Sequence, residues 1–328
     1  MKFAFRVDAS SQIGGGHVMR CLTLADALRE QGATCHFYCH PQPGDRISVI
    51  AAQGYPVTSV DLDQDLPGDV QADWLVTDHY HLDAVWESRQ LATRRLVIDD
   101  LADRPHQCDV LLDQNLHRDA EARYRPLTPP HCRLLLGPSH VLLHPAFALM
   151  PERLRNGEVH HIFVYFGSND QDNQVGRALE ALAHFPQLTA EVVLGPHHPH
   201  RESLLTKRKH PGIVVIETCS DMATAMARAD LALGVCGIAA WERCALGLPT
   251  LVCVTADNQR EDAHNLHRLG AVDHLGESAE VDATNWADAL NRALADPTRI
   301  VHMGQTAAAV VAGYQNNQAS LLNLLLHG

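Results

Sequence analysis

Four segments of this chain bring residues able to do chemistry to turns between strand-like and helix-like runs. The first is Arg6-x-Asp8 followed by Gly14-Gly15-Gly16-His17 and, three residues on, Arg20. Three glycines let the backbone approach a ligand with no Cβ in the way. His17 stands where a helix begins, a place for an anionic or hydroxyl-bearing ligand with a titratable group at hand. The plain alternative is a tight turn carrying a surface histidine. The second segment is Thr77-Asp78-His79-Tyr80, after the apolar run Trp74-Leu75-Val76. The third runs from Gly234 through Cys236, Gly237 and Ile238 to Trp241-Glu242 and Gly247-Leu248-Pro249. Free N–H groups at the start of that helix suit a phosphate or diphosphate. Glu242, about one turn in, can accept hydrogen bonds from vicinal hydroxyls such as those of a ribose. A turn glycine and a solvated glutamate are the plain readings. The fourth is Thr255-Ala256-Asp257-Asn258-Gln259, after the run Pro249 to Val254.

Alternating elements must position these segments. Short, continuously apolar runs at about 2–7, 34–39, 56–60, 73–77, 95–99 and 109–113 read as buried parallel strands. Helix-like runs fall between them at about 18–31, 45–53, 83–92 and 118–124. A looser stretch over 143–158, with Pro145 and Pro151, marks a boundary. A second series follows, with strands at about 161–166, 189–194, 213–216, 230–234 and 250–254. Its helices fall at about 173–184, 201–208, 220–229, 238–246 and 257–269, and three more at 284–295, 298–312 and 316–327 close the chain. The expectation is an α/β protein of two Rossmann-like domains, 1–150 and 151–328, each an open parallel sheet, with a cleft between them and the last helices returning to the first domain.

Composition narrows the function classes. The 328 residues carry a formal net charge of −13, and the longest basic run is Lys207-Arg208-Lys209, so general nucleic-acid binding is not expected. Nine scattered cysteines without a Cys-x-x-Cys pair suit free thiols and a cytoplasmic setting. No stretch is long and apolar enough to span a bilayer, the chain opens directly on a strand so that no signal peptide is expected, and the leucines of 321–326 suit the packing of a final helix.

The usual cofactor signatures are absent. A dinucleotide fingerprint counted from Gly14 would need glycine where Met19 stands, and the second strand runs into His40 and Pro41 where a ribose-binding acid would be. There is no Gly-Lys-Ser/Thr tripeptide of a P-loop. The histidines at 197, 198 and 200 sit among prolines without an acidic or cysteine partner and read as a solvated loop, so neither a metal nor an organic cofactor is expected. Cys236 and Cys244 read as small buried hydrophobes, Trp241 as core, and Asp99-Asp100 as possible partners of Arg104 at a surface.

Taken in order, the motifs resemble the nucleotide-sugar hydrolases of pseudaminic acid biosynthesis, which remove UDP from UDP-2,4-diacetamido-2,4,6-trideoxy-β-L-altropyranose. The matching stretches are Arg6 to Ser10 with Ile13 to Ala25, Asp78-His79-Tyr80, Val97 to Arg104, Leu111 to Asn115, Phe166-Gly167-Ser168, Trp241 to Pro249 and Asp257-Asn258-Gln259. The broader relatives are GT-B glycosyltransferases, especially the one that makes lipid II. The resemblance implies a GT-B-like enzyme with UDP held by its second domain. It gives His17 the part of activating or positioning the attacking water. It places Asp8, Gly15, Gly16, Arg20, Tyr80 and Asn258 on the sugar and its phosphates, and Gly167, Cys236, Gly237, Ile238, Glu242 and Gln259 on UDP. Two positions depart from the pattern: Ser168 follows Gly167 where the family has a second glycine, and Ile238-Ala239-Ala240 replaces hydroxyl residues, so the phosphates would lean on backbone N–H groups.

Hydrolysis at the anomeric carbon asks the protein to hold a diphosphate that already leaves well, exclude bulk water and place one water on the opposite face of the sugar. A histidine base fits that task. The expected reaction is C1–O cleavage with inversion, giving UDP and 2,4-diacetamido-2,4,6-trideoxy-L-altrose without a metal. Two other readings stand beside it. A GT-B glycosyltransferase would pass the sugar to an acceptor, and a non-catalytic protein would bind the UDP-sugar and release nothing.

Overall fold

The computed structural model describes residues 1–328 except 69, 196, 197, 207–211, 218 and 220. Lys207-Arg208-Lys209, Pro196 and His197 therefore lie outside the described residues. The chain divides into unit 1, Met1–His144 with Gly313–Gly328, and unit 2, Pro145–Ala312.

Unit 1 is built on β1 (Lys2–Val7), α1 (Gly16–Glu30), β2 (Thr34–Cys39), α2 (Ile47–Ala52), β3 (Val57–Ser59), β4 (Ala72–Asp78), α3 (Ala84–Arg89), β5 (Ala92–Ile98), β6 (Val110–Asp113), α4 (Ala120–Tyr124) and β7 (Arg133–Leu136). Its parallel sheet runs β3-β2-β1-β4-β5-β6-β7. Trp74, Leu75 and Val76 on β4 are all buried, as a strand covered on both faces requires. Between β1 and α1 the chain folds back on itself: Gly14 N donates to Ser10 O at 2.8 Å, and Gly14 has φ +75°, a conformation that glycine adopts without penalty. α1 then starts with Gly15 at its N-cap and no side-chain cap.

Unit 2 contains α5 (Pro145–Leu149), β8 (His161–Tyr165), α6 (Gln174–Leu182), β9 (Thr189–Val193), α7 (Arg201–Thr206), β10 (Ile213–Ile216), α8 (Met222–Arg228), β11 (Leu231–Val235), α9 (Ile238–Ala245), β12 (Thr250–Val254), α10 (Arg260–Leu269), β13 (Asp273–Glu277), α11 (Ala283–Ala295) and α12 (Pro297–Val310). Its sheet, also parallel, runs β10-β9-β8-β11-β12-β13. Asp282 and Asn285 cap α11 reciprocally, and Asp296 with Pro297 opens α12.

Helix α13 (Tyr314–His327) returns to unit 1. Leu321 and Leu325 enter the core formed by β1, β2, β4 and α1, while Asn317 and Gln318 donate to the carbonyls of Ser139 and Leu143. Sequence periodicity did not anticipate β7 and β13. Both are edge strands with little buried surface. β13 is partly exposed along its whole length and carries Asp273, His274 and Gly276, so no apolar run announces it. Among the described residues no helix is long and apolar enough to cross a membrane, and all nine cysteines are free thiols.

Leu325 has no exposed surface, although it lies at the far end of the sequence from the strands it covers. Leu325→Ala is expected to lower the unfolding free energy by about 2–5 kcal/mol through lost burial and the cavity left behind. Urea unfolding of the full chain measures it, and a loss below about 0.5 kcal/mol would show that α13 does not seal this core.

Candidate functional site

In unit 1 the strand order turns back between β1 and β4, and open parallel sheets bind ligands beyond the carboxyl ends of their strands at such a point. The register pairs Val7 with Asp78, which places Asp8 and the glycine turn beside the Asp78–Tyr80 segment. On α1, His17 and Arg20 are three residues apart and so share a face.

Both reach Asp78. His17 Nδ1 lies 2.5 Å from Asp78 Oδ1, and the Arg20 fork donates Nε to Oδ2 and Nη2 to Oδ1, each at 2.6 Å. Asp78 has no exposed side-chain surface. Burial works against its ionisation, yet the charges and hydrogen bonds of Arg20 and His17 outweigh that and hold the carboxyl well below the usual carboxylate range. An ionised carboxylate only accepts, so the partners assign the proton to His17 Nδ1 and leave the lone pair on Nε2. Arg20 Nη2, 3.1 Å from that Nδ1, acts on it as a neighbouring charge. Tyr80 stands edge-to-face against the His17 ring, centroids 4.6 Å apart, with its hydroxyl 3.5 Å from Asp100 Oδ2.

Asp8 forms a second buried ion pair beside the first. Arg6 Nη1 donates to Asp8 Oδ1 at 2.6 Å, and the His40 N–H donates to the same oxygen at 2.7 Å. His79 Nδ1 receives the N–H groups of His81 and Leu82, so its Nε2 carries the proton and donates to Asp8 Oδ2 at 2.9 Å. Burial would raise the Asp8 pKa, but His79, Arg6 and His40 bring it down to about 2. Asp8, His17, Asp78, His79 and Tyr80 line one cavity of about 240 Å³. Gly15, in the turn before α1, packs against Arg46: an added Cβ would lie 3.0 Å from Arg46 Nε.

In unit 2 the strand order turns back between β8 and β11. Gly167 follows β8 with φ +85°, Cys236 and Gly237 follow β11, and Asn258 and Gln259 follow β12, so the carboxyl ends of three adjacent strands hold them. A Cβ on Gly237 would lie 3.8 Å from Gln259 Nε2, so these two turns are neighbours. Gly237 caps α9 with no side-chain hydrogen bond, and Ile238 is the first helical residue. The Cys236 thiol is buried, and burial pushes its pKa up. Asn258 is exposed. Burial pushes Glu242 up to about 7, against the charge of adjacent Arg243.

Several expectations need correction. Asp99 does pair with Arg104, at 3.0 Å, but inside the protein: it also accepts from Tyr124 OH and Ala102 N, and its side chain is 1% exposed. His198 is not solvated, since it is buried with Nε2 3.0 Å from Asp170 Oδ2. Cys236, Cys244 and Trp241 are buried as their types suggested. Among the described residues no group of three His, Cys, Asp or Glu side chains is placed to hold a metal ion. Sequence reasoning passed over Asp78, which lay inside a recognised segment but whose role depends on strand pairing. It also passed over Arg243, a fully buried guanidinium that donates to Val235 O under the β11–α9 turn. No alternation of residues distinguishes such an arginine from a solvated one.

Two of the perturbed carboxyls, Asp8 and Glu242, set opposite pH slopes. Asp8 falls from 3.8 unfolded to about 2 folded, so its contribution is complete above about 4 and lost as pH drops through about 2. Glu242 rises from 4.5 to about 7, so the folded state is favoured below about 4.5 and that advantage is lost as pH rises through about 7. Urea unfolding across pH 2–9 is expected to show a shallower acid slope in Asp8→Asn, where Asp78 still contributes, and a shallower neutral slope in Glu242→Gln, where Asp113, raised by burial to about 6, still contributes. Unaltered slopes in either variant would contradict the environment described for that residue.

No protein-family profile matches the chain. It is 31% identical over 178 residues to a UDP-2,4-diacetamido-2,4,6-trideoxy-β-L-altropyranose hydrolase of Campylobacter jejuni, covering 53% of this chain and 62% of that protein. It is 29% identical over 161 residues to the spore coat polysaccharide biosynthesis protein SpsG of Bacillus subtilis, covering 48% of each. The chain thus spans about half to six-tenths of the length of these curated relatives. The crystal structure of Acinetobacter baumannii MurG superposes with a TM-score of 0.64 at 14% identity, over 99% of both chains. The chain has the GT-B fold, two Rossmann-like domains, and over about half its length its sequence is similar to a UDP-sugar hydrolase.

Proposed function

We propose that this protein hydrolyses a UDP-linked amino sugar, UDP-2,4-diacetamido-2,4,6-trideoxy-β-L-altropyranose, to UDP and the free sugar. The observation that carries the reading is the His17–Asp78 pair, a histidine with Nε2 free at the wall of a cavity of about 240 Å³. The similarity to the Campylobacter hydrolase supports the choice of substrate.

His17 Nε2 takes a proton from water as the water oxygen attacks C1 from the face opposite the diphosphate. The C1–O bond breaks, its electron pair leaves with UDP, and the anomeric configuration inverts. Asp78 holds the ring in the productive tautomer and stabilises the imidazolium that forms, while Arg20 keeps Asp78 ionised. Asp8, Gly15, Gly16, Arg20 and Tyr80 shape or support the sugar end. In unit 2, backbone N–H groups at Gly237 and Ile238 receive phosphate oxygens, with the Arg243 charge beneath them and Gly167, Cys236, Asn258 and Gln259 around them. Glu242 accepts the ribose hydroxyls, more strongly when ionised, so UDP binding strengthens as pH rises through about 7.

Incubation with the UDP-sugar in ¹⁸O-water, without an acceptor, tests the reaction. UDP release with ¹⁸O at C1 of the inverted anomer is expected. Asp78→Asn should lower kcat by roughly 10²–10⁴-fold with little change in UDP affinity, and His17→Phe should abolish turnover. UDP release only when an acceptor is added would identify a glycosyltransferase using the same base. Tight UDP binding with no turnover under either condition would favour a binding protein.

A further inference from the structure

The wall of the His17 cavity is charged, but its charges already have partners. Asp8 is paired with Arg6 and Asp78 with Arg20, and both arginines are buried behind the surface. His79 uses both ring nitrogens within the protein. No lysine or arginine is among the described residues lining the cavity. A sugar bearing a carboxylate would therefore meet two ionised carboxylates and no lysine or arginine in that lining.

Gln42, by contrast, is open. It lines the same cavity and is half-buried, and its side-chain amide makes no hydrogen bond among the described residues. Its loop is clamped. Gln42 N donates to Asp45 Oδ2, Ser11 N donates to Pro43 O at 2.8 Å, and His40 N is tied to Asp8. Gly44, at φ +84°, lies so close to Ser10 and Ser11 that a Cβ would fall 2.4 Å from Ser11 N. The Gln42 amide is thus presented from a fixed backbone. Nearby, Ser10 Oγ accepts from the N–H groups of Gln12 and Ile13, which leaves its own proton free to donate. Leu62 and Ile13 add apolar surface to the lining.

A planar primary amide offers a donor and an acceptor side by side. An acylamino group is trans, with N–H and C=O on opposite sides, so Gln42 bonds one of them; the acyl carbonyl stands further from the sugar ring than a hydroxyl and is the acceptor that the Gln42 amino group meets. Resting on the proposed hydrolase reading, which puts the sugar in this cavity, we propose that Gln42 is a specificity-determining residue that recognises an acylamino substituent of the sugar. The Gln42 amino group donates to the substituent's carbonyl. Leu62 and Ile13 contact the acyl methyl.

The test compares the full chain with Gln42→Ala and Gln42→Glu by calorimetric titration. The probes are UDP, UDP-2,4-diacetamido-2,4,6-trideoxy-altrose and the two analogues carrying a hydroxyl in place of one acetamido group. The unsubstituted chain is expected to prefer the diacetamido ligand over one analogue by about 10- to 100-fold, and both variants to lose that preference with UDP affinity unchanged. A preference that survives in both variants overturns the assignment of Gln42 and leaves the hydrolase reading standing. If the unsubstituted chain binds the UDP-sugars no better than UDP and releases no UDP from them, the hydrolase reading falls and the assignment with it.

Discussion

The Asp78 carboxylate is the point on which the unit 1 site depends. It is buried at the end of β4, and burying a charge without partners is costly. Arg20 offsets that cost with a two-pronged contact that uses both carboxylate oxygens, and His17 takes a further position on one of them. The arrangement works because α1 places His17 and Arg20 on one face, and because the β1–β4 pairing aims Asp78 at that face. Removal of Asp78 or Arg20 leaves the other's buried charge without its main partner, whereas removal of His17 leaves the Arg20 fork on both Asp78 oxygens. The geometry of the proposed base is therefore coupled to the stability of the unit.

A second ion pair, Arg6–Asp8, repeats the design one strand over and anchors two loops at once through His40 and His79. These paired charges leave the cavity wall polar in shape but short of free charge. That suits a neutral sugar, whose hydroxyl and amide groups bind through directed hydrogen bonds. Unit 2 has the complementary character. A helix start without a side-chain cap and a buried arginine beneath it make a turn suited to phosphate oxygens, and Glu242 sits where burial keeps it near its titration point at neutral pH.

Much of this was legible in the residues. The continuous apolar runs of β1, β4, β8, β11 and β12 announced buried parallel strands, and the glycines at 14–16 and 237 marked the turns that carry the site. The leucines near the C-terminus signalled a packing helix, which the structure seats on unit 1. What sequence could not supply was the partner of each polar residue. Asp78 and His17 are 61 positions apart and meet through strand order alone. Asp99 reads as a surface acid, yet Tyr124, Ala102 and Arg104 enclose it. The edge strand β13 escaped for a related reason, because an edge needs little apolar surface and β13 carries almost none.

The most direct test of the central claim is the tautomer of His17, read from long-range ¹H–¹⁵N correlations of the imidazole in the full-length protein at pH 8. The Asp78 contact predicts a proton on Nδ1 and an unprotonated Nε2, with that preference lost in Asp78→Asn. A proton on Nε2 in the unsubstituted chain would contradict the account, since the nitrogen assigned to activate water would have no lone pair to offer.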